Sequence, residues 1–459
     1  MCEAAGVPTS SLVCEGFFGQ AAATSIGLGV PTIPLALVPG HPGAQRKDEL
    51  RKNILEVTVD KVIENLTRPT AEGKFDSEPG ARDIVVKGGF DAVNRYFLEH
   101  EYSDGLPIVP PTREKIDAFL KFTERSADEQ LGIILPDSRV ATIWSIAVNG
   151  VMAGCRPEYM PVLIALVEAM LDPDYGVEHS GNTPGGETLI ILNGPIIKQL
   201  GFNYTQGVLR DGFQPNTSVG RFWRLYIRNV AGFLLHKNDK STFGNTWRVV
   251  CAENEDVLKE IGWEPTNVEM GFEATDNTVT ITRHTGGNLI ASVSGGTPEE
   301  MMPFLADAMA RQNSWQFTFT MGSGYGTLRP MLLLSPVLAH TIARTGWSKA
   351  KVKQYLFDHA RIRACDMELL LREWTLKPIW NLAEEARLGR IPKVFHESDD
   401  PNRMIPLVFE PEDYMIVVTG DPARTNAYAF AHNGVLAYPV ARKIGLPKDW
   451  DAKLAEARK

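Results

Sequence analysis

Short apolar runs separated by helical apolar patterns open the chain. Val7 to Val13 and Thr32 to Val38 read as strands and Gly16 to Ile26 as a helix of small residues. Lys47 to Leu66 reads as a second helix, with Leu50, Ile54, Leu55, Val57, Val62, Ile63 and Leu66 at helical spacing. This alternation predicts parallel pairing with right-handed crossovers, and a ligand edge outside the carboxyl ends of the strands. Cys14 and His41 both follow strand ends there, as a thiolate–imidazole pair or as a buried cysteine and a turn-capping histidine. Two parallel strands make an incomplete sheet, so further strands are expected from elsewhere in the chain or from a separate polypeptide. Residues 67–103, with Pro69, Gly73, Pro79 and Gly80 and a helical pattern from Phe90 to Leu98, read as a linker.

From residue 104 to 459 the pattern predicts one large region, with a subdivision near 315–330 left open. Thr112 caps a helix through Ile116, Phe119 and Leu120. Val140 to Val148 is a strand or a buried helix; periodicity does not decide. Pro157 and Glu158 start a helix that runs to Leu171. The polar, glycine-rich stretch from Tyr175 to Gly186 leads into a strand from Thr188 to Leu192, and Asn193-Gly194-Pro195 starts another helix. Thr246 to Ala252 reads as a strand ending at Glu253, and Thr278 to Thr282 as a half-exposed strand followed by His284. Thr297 to Glu300 is a capping box for a helix to about Gln312, and near the end the apolar stretch Arg329 to Pro336, a helix through His340 to Arg344 and a strand from Asp413 to a glycine turn at Gly420 read as a small α/β unit. The fold class is α/β: a small incomplete parallel α/β module followed by a larger α/β or α+β region.

With 459 residues, 44% of them hydrophobic, the chain can bury a substantial core. A formal charge of −9 gives no electrostatic footprint for nucleic acid or an anionic membrane, so a small-molecule substrate is the expected ligand. Five scattered cysteines without a C-x-x-C pair, no secretory signal and no apolar run of roughly 18–20 residues point to a reduced, cytoplasmic protein.

Candidate chemistry centres on Cys155, just ahead of a helix N-terminus with Arg156 beside it, an arrangement that lowers a thiol pKa. The alternative is a small buried cysteine in a tight turn. His179, in the polar loop with Ser180, Asn182 and Thr183, and His284 are candidate bases, and Glu253 falls at a strand end. Asn149, Arg156, Arg221, Lys240 and Ser241 are candidate substrate-binding residues; Arg221, Arg224 and Arg228 lie along one helix side, as an anion site or a solvated face. Gly322 to Gly326 could cradle an anion but lacks a P-loop ending. Cys155, His179, Cys251, Glu253 and His284 include metal-ligand types, yet their spacing matches no compact motif, so no metal or other cofactor is assigned.

The segments Glu3 to Thr9, Cys14-Glu-Gly-Phe17, Leu28 to Pro31 and Val38-Pro-Gly-His-Pro42 resemble the C-terminal half of the UGSC family, named for a (seleno)cysteine-Gly-Ser-Cys motif. That family is more distantly similar to the selenoprotein subunits of glycine and betaine reductases. The motif itself is absent, and its expected place lies before Glu3. The resemblance therefore implies a small partner subunit that supplies the motif and the missing strands, or a module that has lost the chemistry. Asp104 to Pro111, Met152 to Tyr159, Cys251 to Glu255, Gly346 to Lys349 and Glu412 to Val418 resemble an uncharacterised bacterial family associated with UGSC modules, over most of 104–440. This second resemblance names no reaction; the distant reductase resemblance, with the candidate cysteine site, implies a cysteine-dependent enzyme subunit that reduces or cleaves a carbon–heteroatom bond of a small organic substrate. A non-redox thiol-dependent hydrolase or lyase and a non-catalytic scaffold subunit are the alternatives.

Overall fold

The computed structural model has an α/β fold. It describes residues 2–3, 6–19, 21, 25, 33–42, 45–70, 79–235, 237–247, 249–314, 325–373, 381–433 and 438–459. The chain divides into two compact units. The first comprises Met1–Val85, Met321–Tyr325 and Arg363–Arg403; the second holds Val86–Thr320, Gly326–Ile362 and Met404–Lys459. The sequence reading placed all of 104–459 in one region, whereas Arg363–Arg403 belongs with the N-terminal module. Arg46 Nη2 pairs with Glu384 Oε1 at 2.6 Å, a contact across 338 positions that local pattern cannot announce.

In the first unit, strands β1 (Ser11–Cys14) and β2 (Leu35–Val38) pair in parallel, with Cys14 level with Val38. The turn carrying His41 therefore follows the same sheet edge as Cys14. Helix Lys47–Asn53 continues through a π-helical stretch, Ile54–Thr58, into helix Val59–Thr67. Its buried contacts with the strands are polar: Thr58 Oγ1 donates to the Leu37 carbonyl at 2.7 Å, and Asn65 Nδ2 to the Leu35 carbonyl at 3.2 Å. Leu55, Val57, Ile63 and Leu66, expected as a packing face, are exposed. The small-residue helix lies largely outside the described residues, which show a 3-10 turn at Glu15–Phe17.

The second unit is organised by a seven-stranded curled sheet. Its strands are β5 (Glu187–Asn193), β6 (Val250–Ala252), β7 (Thr278–Ile290), β8 (Met331–Leu334), β9 (Met415–Val418), β10 (Ala427–His432) and β11 (Val440–Lys443), preceded by a separate hairpin of β3 (Gln130–Ile134) and β4 (Arg139–Thr142). The order is β9-β8-β10-β7-β5-β6, and β11 pairs with the first part of β7. The pairs β9/β8 and β5/β6 are parallel; the other pairings are antiparallel. The terminal strands approach at their carboxyl ends, where Asn254 N donates to the Val418 carbonyl at 2.8 Å and Thr419 Oγ1 to the Ala252 carbonyl at 2.9 Å.

Runs such as Met331–Leu334 and Met415–Val418 are apolar at every position because both sheet faces are covered. Leu332, Leu334, Ile416, Val418, Ala427 and Ala429 pack with Met301, Met302, Leu305 and Met309 of helix Pro298–Asn313. The alternate residues, Met331, Leu333, Met415, Val417 and Phe430, join Leu189, Ile191 and Cys251 on the other face. Strand β7, expected to be half exposed and to end before His284, is buried from Thr278 through His284. Helices Met160–Met170 and Pro298–Asn313 pack against this strand, so it keeps no solvent face over that stretch. A register shift between Ala431 and His432 places His284 opposite His432. Strand β4 and helix Ile143–Ala153 together resolve the ambiguous 140–148 segment; the Thr142 and Ser145 side chains cap the helix reciprocally. The Gly322–Gly326 cradle falls mainly outside the described residues, as does 315–324 of the 315–330 stretch in which the sequence allows a subdivision.

Candidate functional site

The predicted residues fall into separate networks. Cys155 follows helix Ile143–Ala153, which Gly154 ends in the left-handed conformation at φ 78°. The turn Pro157–Tyr159 then leads into helix Met160–Met170. The thiol is buried, and desolvation pushes its pKa up to about 12, against smaller downward effects of Ser218 and Arg221. This reverses the expected lowering. Arg156 is exposed and pairs with Glu158 at 3.8 Å. Arg221 is held by Asp104 through bonds of 3.0 and 2.8 Å and by the Pro107 carbonyl at 2.9 Å. Asn149 is also engaged: Nδ2 donates to the Ser145 carbonyl and Oδ1 accepts from Asn229 Nδ2, each at 2.9 Å. With a thiol-specific disulfide reagent, Cys155 and Cys251 are expected to react only as the protein unfolds, whereas exposed Cys2 reacts in the native state. Peptide mapping of the labelled sites checks this; fast native labelling at Cys155 contradicts it.

A second network joins two polar loops. Lys240 N donates to the Gly181 carbonyl at 2.8 Å and Thr242 N to the Thr183 carbonyl at 3.0 Å. A Cβ on Gly181 would lie 2.4 Å from the Asn238 carbonyl oxygen, so this close approach requires glycine. Ser241 Oγ donates to Asp239 at 2.8 Å, and Arg224 pairs with Asp239 at 3.5 Å and Glu187 at 3.3 Å. The arginine row is thus neither a solvated face nor a free anion site: Arg221, Arg224 and Arg228 all turn to protein partners, Arg228 to the Glu101 carbonyl at 2.7 Å. His179 is half-buried, with its pKa lowered by burial and then by Arg283. Sequence reasoning missed Arg283, which is fully buried, donates to Ser180 Oγ at 3.0 Å and lies over the Tyr175 ring. An arginine inside an otherwise uncharged strand was the available signal.

His284 lies within β7 with its ring centroid 5.1 Å from that of Phe430. Burial pushes its pKa down to about 3; the Ala431 carbonyl acts in the opposite direction without meeting hydrogen-bond geometry. In the first unit, burial raises the Cys14 thiol and lowers the His41 imidazole, and the His41 ring lies near Phe17 at 6.2 Å.

The arrangement best suited to chemistry lies around Glu253. Parallel pairing sets Leu192 beside Ala252, so Asn193 and Glu253 emerge together at the carboxyl ends of β5 and β6. Asn193 Nδ2 donates to Glu253 Oε2 at 2.7 Å and to Glu255 Oε1 at 3.1 Å; Gly194 N also donates to Glu255 at 2.7 Å. Gly194 has φ 97°, and a Cβ there would meet the Asp276 carbonyl oxygen at 2.5 Å. Glu253 accepts from Thr266 N at 2.7 Å and pairs with Lys349 Nζ at 3.5 Å. Glu269 links Lys349, at 3.8 Å, to Lys353, at 3.0 Å. Glu253 and Lys349 are both buried, whereas Glu255 stands nearer the surface pair Lys198–Asp256. Burial raises the Glu255 carboxyl, opposed by the bonds from Gly194 and Asn193. Cys155, His179, His284 and Glu253 share no hydrogen bond or ion pair, so the four predicted catalytic residues do not form one constellation.

Residues 1–68 match the model of the UGSC family. No curated protein and no solved structure matches the chain. Among the described residues, no group of three or more histidine, cysteine, aspartate or glutamate side chains is placed to hold a metal ion. No described helix is long and apolar enough to cross a membrane.

Proposed function

We propose that the second unit is an enzyme that cleaves a carbon–heteroatom bond of a small organic substrate by proton transfer at Glu253 and Glu255. The observation that carries this reading is the buried Glu253–Lys349 pair beside a second carboxyl group whose pKa is raised by burial. Two carboxyl groups in different surroundings are suited to opposite proton-transfer roles. Glu253 takes a proton from the carbon next to an electron-withdrawing group. The C–H electrons form a carbon–carbon double bond, the heteroatom leaves with the electron pair of its broken bond, and Glu255 protonates it. Glu253 gains one proton and Glu255 loses one; exchange with solvent restores both. The Lys349 ammonium supplies positive charge beside the centre.

This elimination retains the substrate and bond classes expected from the sequence but moves the chemistry away from Cys155, whose raised pKa disfavours the thiolate. A redox reading, with a partner polypeptide docking on the first unit and supplying electrons, is favoured by the UGSC match over residues 1–68 and the two-stranded sheet β1/β2. Incubation with a panel of small hydroxy-, amino- and thio-carboxylates in deuterated water distinguishes the readings by mass spectrometry. Elimination gives donor-independent loss of the heteroatom group and an unsaturated product that lacks one hydrogen at the adjacent carbon, with no deuterium put in its place, whereas reductive cleavage replaces the heteroatom group by deuterium from the solvent. Glu253→Gln is expected to lower that rate at least about 100-fold while retaining the fold, and Cys155→Ser to leave it unchanged. An unchanged Glu253→Gln rate overturns the elimination reading. A requirement for an electron donor selects redox chemistry, and no turnover across the panel leaves the scaffold reading.

A further inference from the structure

We infer that the face of β7 bearing Thr278, Thr280, Thr282 and His284 binds a file of buried water molecules ending at Asn193. The four side chains are fully buried, and the three threonine hydroxyls and Asn193 Oδ1 find no hydrogen-bond partner among the described residues. They form a row by register: Thr278 is opposite Asn193, Thr280 opposite Ile191, Thr282 opposite Leu189 and His284 opposite Glu187. Directly opposed residues share a sheet face, so the row faces the same side as Leu189 and Ile191.

Other strands place apolar residues on that face, with Met331, Leu333, Met415 and Val417 in the same packed cluster as Leu189 and Ile191. The polar row is instead concentrated on β7. A buried hydroxyl without a partner is costly, and water is the smallest molecule that can both donate to and accept from every member of the row. Alternate strand residues are about 6.8 Å apart. One bridging water spans only about 5.6 Å between two hydroxyls, so each interval takes two. The two intervals from Thr278 to Thr282 therefore take about four waters, a modest share of roughly 17 buried waters usual for a chain of this length. The file ends at the asparagine whose amide donates to Glu253 and Glu255, although its existence does not depend on their proposed chemistry.

Water oxygen-17 relaxation dispersion on the full chain counts long-lived internal waters and tests this directly. The Thr280→Val/Thr282→Val variant is expected to lose at least two of them. Thr280→Ser/Thr282→Ser, which keeps the hydroxyls, is expected to retain the parent count. An unchanged count in the folded valine variant overturns the file, even if stability falls. If the valine variant does not fold, a high-resolution structure of the parent decides: water oxygens within hydrogen-bond distance of both hydroxyls support the file, and dry contact or another bound molecule overturns it.

Discussion

Lys349→Met is expected to destabilise the second unit by about 3–5 kcal/mol, because it strands the buried Glu253 carboxylate. Intact, the ion pair adds little net stability, since burial of both charges opposes their attraction. Removing one partner has a different effect: the desolvation penalty stays and the compensating charge disappears. Asn193 and Thr266 N still donate to Glu253, so part of its hydrogen bonding survives. Denaturant unfolding monitored by tryptophan fluorescence measures the change. The double variant Lys349→Met/Glu253→Gln should recover much of the loss because it removes the stranded charge. A Lys349→Met variant as stable as the parent contradicts this account of the centre.

Acidification is expected to destabilise the same unit through His284. Its folded-state pKa is about 3, below the ordinary value of 6.5, because burial disfavours the imidazolium. The unfolded chain therefore binds the proton more readily. The stability contributed by the neutral buried ring is present above pH 6.5 and is lost as pH falls through 6.5 towards 3. A separation of roughly 3.5 units corresponds to a loss of about 4–5 kcal/mol over that window, and about 3 kcal/mol by pH 4. Urea unfolding of the parent and His284→Gln across pH 7 to 4 isolates this contribution. The parent should lose more stability than the variant; equal losses contradict the linkage to His284.

Much of the local architecture was legible in the sequence. Continuous apolar runs identified the cores of β5, β8 and β9, and proline and glycine marked the boundaries around Cys155. Its burial was not legible, because desolvation depends on elements distant in sequence, including the helix that carries Ser218 and Arg221. The Glu253–Lys349 contact spans 96 positions, and neither residue type alone reveals its partner. The alternating threonines of β7 resembled a solvated strand face until its neighbours placed both faces inside the protein. Apolar spacing also suggested a packing face on Lys47–Thr67, but Thr58 and Asn65 make the buried polar contacts with the strands instead.

The approach of β6 and β9 has a consequence for self-association. A sheet border normally presents unpaired backbone groups to another chain. Here Asn254 N meets the Val418 carbonyl and Thr419 Oγ1 meets the Ala252 carbonyl. These contacts occupy the last carbonyl of each terminal strand, so those two groups are withdrawn from strand addition by another chain.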